Sequence, residues 1–118
     1  MHVIKRDGTR VLFDPNKIVR AINKAMVSAY GSVYESDTAE EIADLIGSRG
    51  ADMTVEQIQD LVENLLIYPG DYPEIARAYI RYRYKRELAR NNYKELMDTV
   101  GEKLSAANVQ NQNANVDE

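Results

Sequence analysis

The chain of 118 residues contains no cysteine and a single histidine. Without cysteine there is no disulfide framework, no thiolate metal site and no thiol nucleophile. The lone imidazole, His2, stands at the terminus, where a general base or a His-based metal site is not expected. No apolar run approaches the length of a membrane span. The residues after Met1 alternate and carry charge, so no secretory leader is expected either. A Ser-His-Asp set, a Walker phosphate loop and a dinucleotide glycine motif are all missing. The expectation is a cytoplasmic, non-catalytic binding protein with no metal site of its own.

What is present is one domain's worth of chain with an ordinary 44% hydrophobic content, enough for one modest core. The net charge of −4 conceals a segregation. From Asp37 to Glu63 there are eight acidic residues against one basic, Arg49; from Arg77 to Lys94 there are seven basic against one acidic, Glu87. One face can attract anions although the whole chain is acidic.

Met1 to Lys5 and Arg10 to Phe13 read as two short strands joined through Asp7-Gly8, a strong hairpin signal. Asp14 reads as an N-cap, with Pro15 at the first helical position, where its missing N–H costs nothing. The first helix then carries Ile18, Ile22, Ala25, Met26 and Ala29 on one face and ends near Gly31. A second helix is expected from about Asp37 to Gly47, with Ala39, Ile42, Ala43 and Ile46 inward. Thr54 with Gln57 forms a capping box for a third, whose stripe is Ile58, Leu61, Val62, Leu65 and Leu66. Pro69-Gly70 ends it. A long fourth helix starts near Pro73 and runs to about Val100, with Ile75, Ala76, Tyr79, Ile80, Tyr84 and Leu88 inward. The predicted fold is mainly α: a small N-terminal β-hairpin packed on four helices. Residues 1–100 form the domain, and the Asn- and Gln-rich stretch within 101–118 reads as a linker.

Lys5 and Arg6 on the hairpin, taken alone, read as solvated surface charges. Lys17, one turn inside the first helix, alters that reading. A cation there opposes the helix macrodipole, and first-turn amides together with ammonium groups make a phosphate cradle. Arg77, Arg81 and Lys85 share one face of the fourth helix at i, i+4, i+8, with Tyr79, Tyr82 and Tyr84 interleaved. That row reads equally as a solvated basic face or as a phosphate-binding one beside an aromatic wall. A nucleic-acid-binding module would use the same materials, and a purely structural assembly domain is a third alternative. The carboxylates Glu40, Glu41, Asp44, Glu56, Asp60 and Glu63 read as a solvated helix face.

The blocks Val3-Ile4-Lys5-Arg6-Asp7-Gly8-Thr9, Phe13-Asp14-Pro15-Asn16-Lys17-Ile18, Thr54 to Glu63 and Ile75 to Arg83 resemble, in order and spacing, the ATP-cone. This is the allosteric domain found at the N-terminus of many ribonucleotide reductases. The resemblance covers about Val3 to Arg90. The stretch Asn111 to Val116 is similar to the segment leading into the catalytic barrel of the anaerobic, glycyl-radical class. The resemblance implies a regulatory piece without catalytic residues, connected through 101–118 to a catalytic domain of the same parent chain. It implies ATP or dATP as effector, with magnesium carried on the nucleotide phosphates, and nucleotide-dependent homo-oligomers, with no role for membranes or nucleic acid. By matching position it places Lys5, Lys17 and Lys85 on phosphates. Val11, Leu12, Phe13, Asp14 and Asn16 would line the nucleotide, and Val55, where other members carry Thr, would meet the adenine. Arg6, Arg77, Arg81 and Tyr82 are further nucleotide-binding candidates.

Overall fold

A computed structural model of the chain describes residues 1–33 and 36–107. It divides into two units, Met1–Tyr82 and the stretch from Arg83 onward. The elements are β1 (His2–Ile4), β2 (Arg10–Leu12), α1 (Pro15–Tyr30), α2 (Ser36–Gly47), β3 (Met53–Thr54), α3 (Val55–Ile67) and α4 (Pro73–Ala107). The expected mainly α architecture, with four helices, an N-terminal hairpin and a long last helix, is what the chain adopts.

The helix boundaries follow the local chemistry. The Asp14 side chain accepts from Asn16 N–H at the start of α1, and Gly31 N–H returns to the carbonyl of Val27 at its end. Both halves of the capping box between Thr54 and Gln57 are formed at α3. The apolar stripes then meet in one core in which Ile22, Met26, Ile46, Val62, Leu66 and Ile75 are the largest fully buried side chains. Each contributes on the order of 2–3 kcal/mol of transfer free energy. The ring of Phe13 completes the seal beside α2, so close over Gly47 that a Cβ there would meet it at 3.1 Å.

Two expectations need correction. The sheet has three strands, in the order β2-β1-β3, rather than two. β1 pairs antiparallel with β2 and parallel with β3, the latter through Val3↔Met53 and Ile4↔Thr54. A two-residue strand shows no alternation, so no period in the sequence announces it. In α4, Ile75, Ala76 and Tyr79 are buried as expected, but Ile80, Tyr84 and Leu88 are exposed. The helix also continues through Gly101 to Ala107. The linker expected around Asn108 to Val116 lies outside the described residues.

Asp52 ties the three strands together. Its carboxylate accepts from the His2 backbone N–H at 2.8 Å and from the Arg10 guanidinium, so it spans β1 and β2 from the foot of β3. The His2 hydrogen bond, helped by the Arg10 charge and opposed by slight desolvation, holds the carboxyl below its ordinary value. A depressed folded-state pKa means that this stabilisation is present above the unfolded carboxylate value and is lost as pH falls through the folded one. Thermal melts should therefore fall as pH drops below about 4, and Asp52→Asn should melt lower at pH 7 and show a shallower acid dependence. Asp7, held down by its hydrogen bonds from Thr9, contributes with the same sign.

Candidate functional site

The hairpin turn is built by its own backbone. Lys5 N–H donates to the Thr9 carbonyl at 2.8 Å and Gly8 N–H to the Lys5 carbonyl at 2.9 Å. Asp7 accepts from Thr9 N–H, so it shapes the turn and is not offered to a ligand. Because Ile4 pairs in parallel with Thr54, the residues that follow each, Lys5-Arg6 and Val55-Glu56, come together at the end of the sheet. The result is a cationic turn beside the start of α3. The Arg6 guanidinium meets Glu56 there, Nε to Oε2 2.9 Å. Glu56, exposed as expected of a solvated face, also forms part of this corner.

The start of α1 lies at the other end of the sheet. Leu12 pairs with His2, and Phe13 N–H donates to the Met1 carbonyl at 3.1 Å. The expected cradle of α1 amides is not open. Pro15 has no N–H, Asn16 N–H is held by the Asp14 carboxylate at 3.0 Å, and Lys17 N–H by the Asp14 carbonyl at 3.2 Å. Asp14 therefore supplies to these amides what a phosphate would otherwise offer, and the exposed Lys17 side chain is left as the cation of this end. At α3 the capping box engages the Thr54 and Gln57 N–H groups.

The remaining candidates divide by position. Val11 is half-buried opposite Val3, Leu12 is exposed on the edge strand, and Phe13 packs on the core. Arg77 is engaged by Glu74 one turn earlier, at 2.8 Å. Tyr82 lies beside α1, with the Lys24 ammonium 5.9 Å from its ring centroid, a cation–π contact. Lys24 carried no signal of its own, being one more exposed lysine on α1. These contacts do not join Arg77 or Tyr82 to the hairpin. Lys85 is exposed and belongs to the second unit. Among the described residues no ion pair engages Lys5, Lys17 or Arg81. No group of three His, Cys, Asp or Glu residues there can hold a metal, and no helix is long and apolar enough to cross a membrane.

A hairpin with an Asp-Gly turn, a capped helix directly after it and a short parallel strand feeding a second capped helix form one unit around these cations. Residues 1–88 match the family described as the ATP cone domain. The chain belongs to the ATP-cone family. The chain is 38% identical over 120 residues to an anaerobic ribonucleoside-triphosphate reductase of Haemophilus influenzae, a match covering 98% of the chain and 17% of that relative. The corresponding Escherichia coli enzyme is 33% identical over the same 98% of the chain. A vitamin B12-dependent ribonucleoside-diphosphate reductase of Thermoplasma acidophilum is 43% identical over 102 residues, covering 80% of the chain and 13% of the relative. The chain thus spans about one sixth of the length of the anaerobic reductases it matches, and the likeness found from its four sequence blocks is borne out.

Proposed function

We propose that this cone senses ATP and dATP and thereby regulates an anaerobic ribonucleoside-triphosphate reductase of which it is part. The observation that carries the reading is the set of cations that form no ion pair among the described residues, Lys5 at the hairpin turn and Lys17 at the start of α1, in a cone whose relatives are ribonucleotide reductases. Strand geometry separates the two ends of the sheet by about 10 Å. Lys5 and Lys17 therefore suit an extended polyphosphate approached from two sides better than a single phosphate. The start of α3 lies beside Lys5, and the positive end of that helix favours an anion. Arg81 adds a cation from α4, and Tyr82 an aromatic face. Magnesium would arrive on the nucleotide phosphates.

ATP and dATP differ by one hydroxyl, and a hydrogen bond to it is worth only about 1 kcal/mol net. A regulatory switch of useful size requires that the two effectors favour different arrangements or assemblies, because a ligand with equal affinity for two states shifts neither. The reading therefore includes association between copies, or with the catalytic part of the parent chain, that depends on which nucleotide is bound. Titration calorimetry with Mg-ATP and Mg-dATP, run beside light scattering, tests it. Saturable binding of both, with different masses in solution, is expected; absence of heat with either nucleotide would sink the proposal.

A further inference from the structure

The corner between the hairpin turn and α3 contains its own anion. Glu56 stands in the first turn of α3, where the amide dipoles favour a carboxylate, and it reaches the Arg6 guanidinium at 2.9 Å. The Arg6 and Glu56 side chains are 39% and 50% exposed, so water and salt weaken the pair and it exchanges partners readily. The parallel register that brings Lys5-Arg6 beside Val55-Glu56 also makes this contact the side-chain bridge between the turn and α3.

We infer that Glu56 is an internal competitor for the effector's phosphates: it holds Arg6 and the hairpin turn on α3 until a polyphosphate displaces it. The inference rests on the proposed nucleotide reading. A triphosphate offers Arg6 several acceptor oxygens and bidentate geometry, where the observed contact runs through Nε to one Glu56 oxygen. Binding then costs the opening of the pair, and the apparent affinity is reduced by the fraction of molecules in which Arg6 is engaged. Glu56 thereby sets the effector concentration at which Arg6 is released from α3 to the phosphates.

Removing the competing charge should tighten phosphate binding, whereas removing a residue that merely positions Arg6 should weaken it. Calorimetry of the Glu56→Gln variant should show Mg-ATP bound roughly two- to fivefold more tightly than by the wild type, the range that an exposed ion pair allows. Adenosine, which carries no phosphate, should show no such gain. In an Arg6→Ala background, Glu56→Gln should add nothing, because the coupling has lost its other partner. Without any nucleotide, amide exchange at Lys5 and Gly8 should quicken in Glu56→Gln as the turn loses its tether. Unchanged or weaker ATP binding by Glu56→Gln, or a gain that persists without Arg6, overturns the inference while leaving nucleotide sensing intact. If the wild type binds no ATP, the nucleotide reading fails, and the exchange measurement alone reports whether the tether exists.

Discussion

Gly70→Ala should lower the stability of the domain by about 2–3 kcal/mol, in the upper part of the range for forced overpacking. A Cβ at Gly70 would lie 2.5 Å from the Leu65 carbonyl oxygen and 3.1 Å from that of Leu66. Both obstacles are backbone, so no side chain can rotate away to relieve them. The turn cannot shift freely either, because it closes the end of α3. Gly70 N–H donates to the Leu65 carbonyl, Asp71 N–H to Ile67 and Tyr72 N–H to Leu66, at 3.1, 3.1 and 2.8 Å. Tyr72 then passes the constraint on, receiving Ala76 N–H on its carbonyl and the Thr38 hydroxyl on its own hydroxyl. Leu66 and Ile75, on either side of the turn, are completely buried. Urea unfolding should show a lower midpoint with an unchanged slope. An unmoved midpoint would mean that the turn relaxes without cost.

The second large effect concerns the ligand. If nucleotide is present at 100 times its dissociation constant, binding stabilises the folded cone by about 2.7 kcal/mol. For a domain of this size that corresponds to a rise in melting temperature of roughly 10–20 °C. The double variant Lys5→Ala/Lys17→Ala should lose nearly all of this rise. Each charge-assisted contact to a phosphate is worth about 1.5–3 kcal/mol, so two together exceed the whole shift. Both lysines are exposed and outside the core, so the variant should melt near the wild-type temperature without nucleotide. A retained shift would place the phosphates elsewhere, with Arg81 and Lys85 of α4 the next residues to change. Scanning calorimetry with and without Mg-ATP and Mg-dATP makes the comparison.

Much of the fold was legible because its signals are local. Asp14-Pro15, the Thr54 and Gln57 pair and the Pro69-Gly70 stop each act within a few residues, and the chain obeys them all. The inward stripes of α1 to α3 follow because helical periodicity needs only one face to be apolar. The pattern in α4 misled beyond Tyr79. Tyr84 and Leu88 continue the apolar spacing but remain exposed, since spacing specifies a face and not whether anything covers it. The candidate site was legible as a set of residue types and less so as an arrangement. Lys5, Lys17 and the row on α4 stand out as cations, but ion pairing sorts them. Arg6 and Arg77 are held in ion pairs, while Lys5, Lys17 and Arg81 form none among the described residues. Asp14 announces a helix start, yet only the hydrogen bonds reveal that it occupies the amides a phosphate would use.

The sequence by itself determined the four helices, the hairpin, the family and the chemical character of the candidate site: a cationic hairpin, a capped helix, a second capped helix and a basic stretch. Tertiary structure decided which of these charges meet. Met53-Thr54 is too short to show a strand's alternation, but lying parallel beside β1 it brings Arg6 to Glu56 and Lys5 to the start of α3. The same register carries Asp52 to His2 and Arg10. Pairing between residues some fifty positions apart depends on how the helices between them pack, and no local pattern in the chain encodes it.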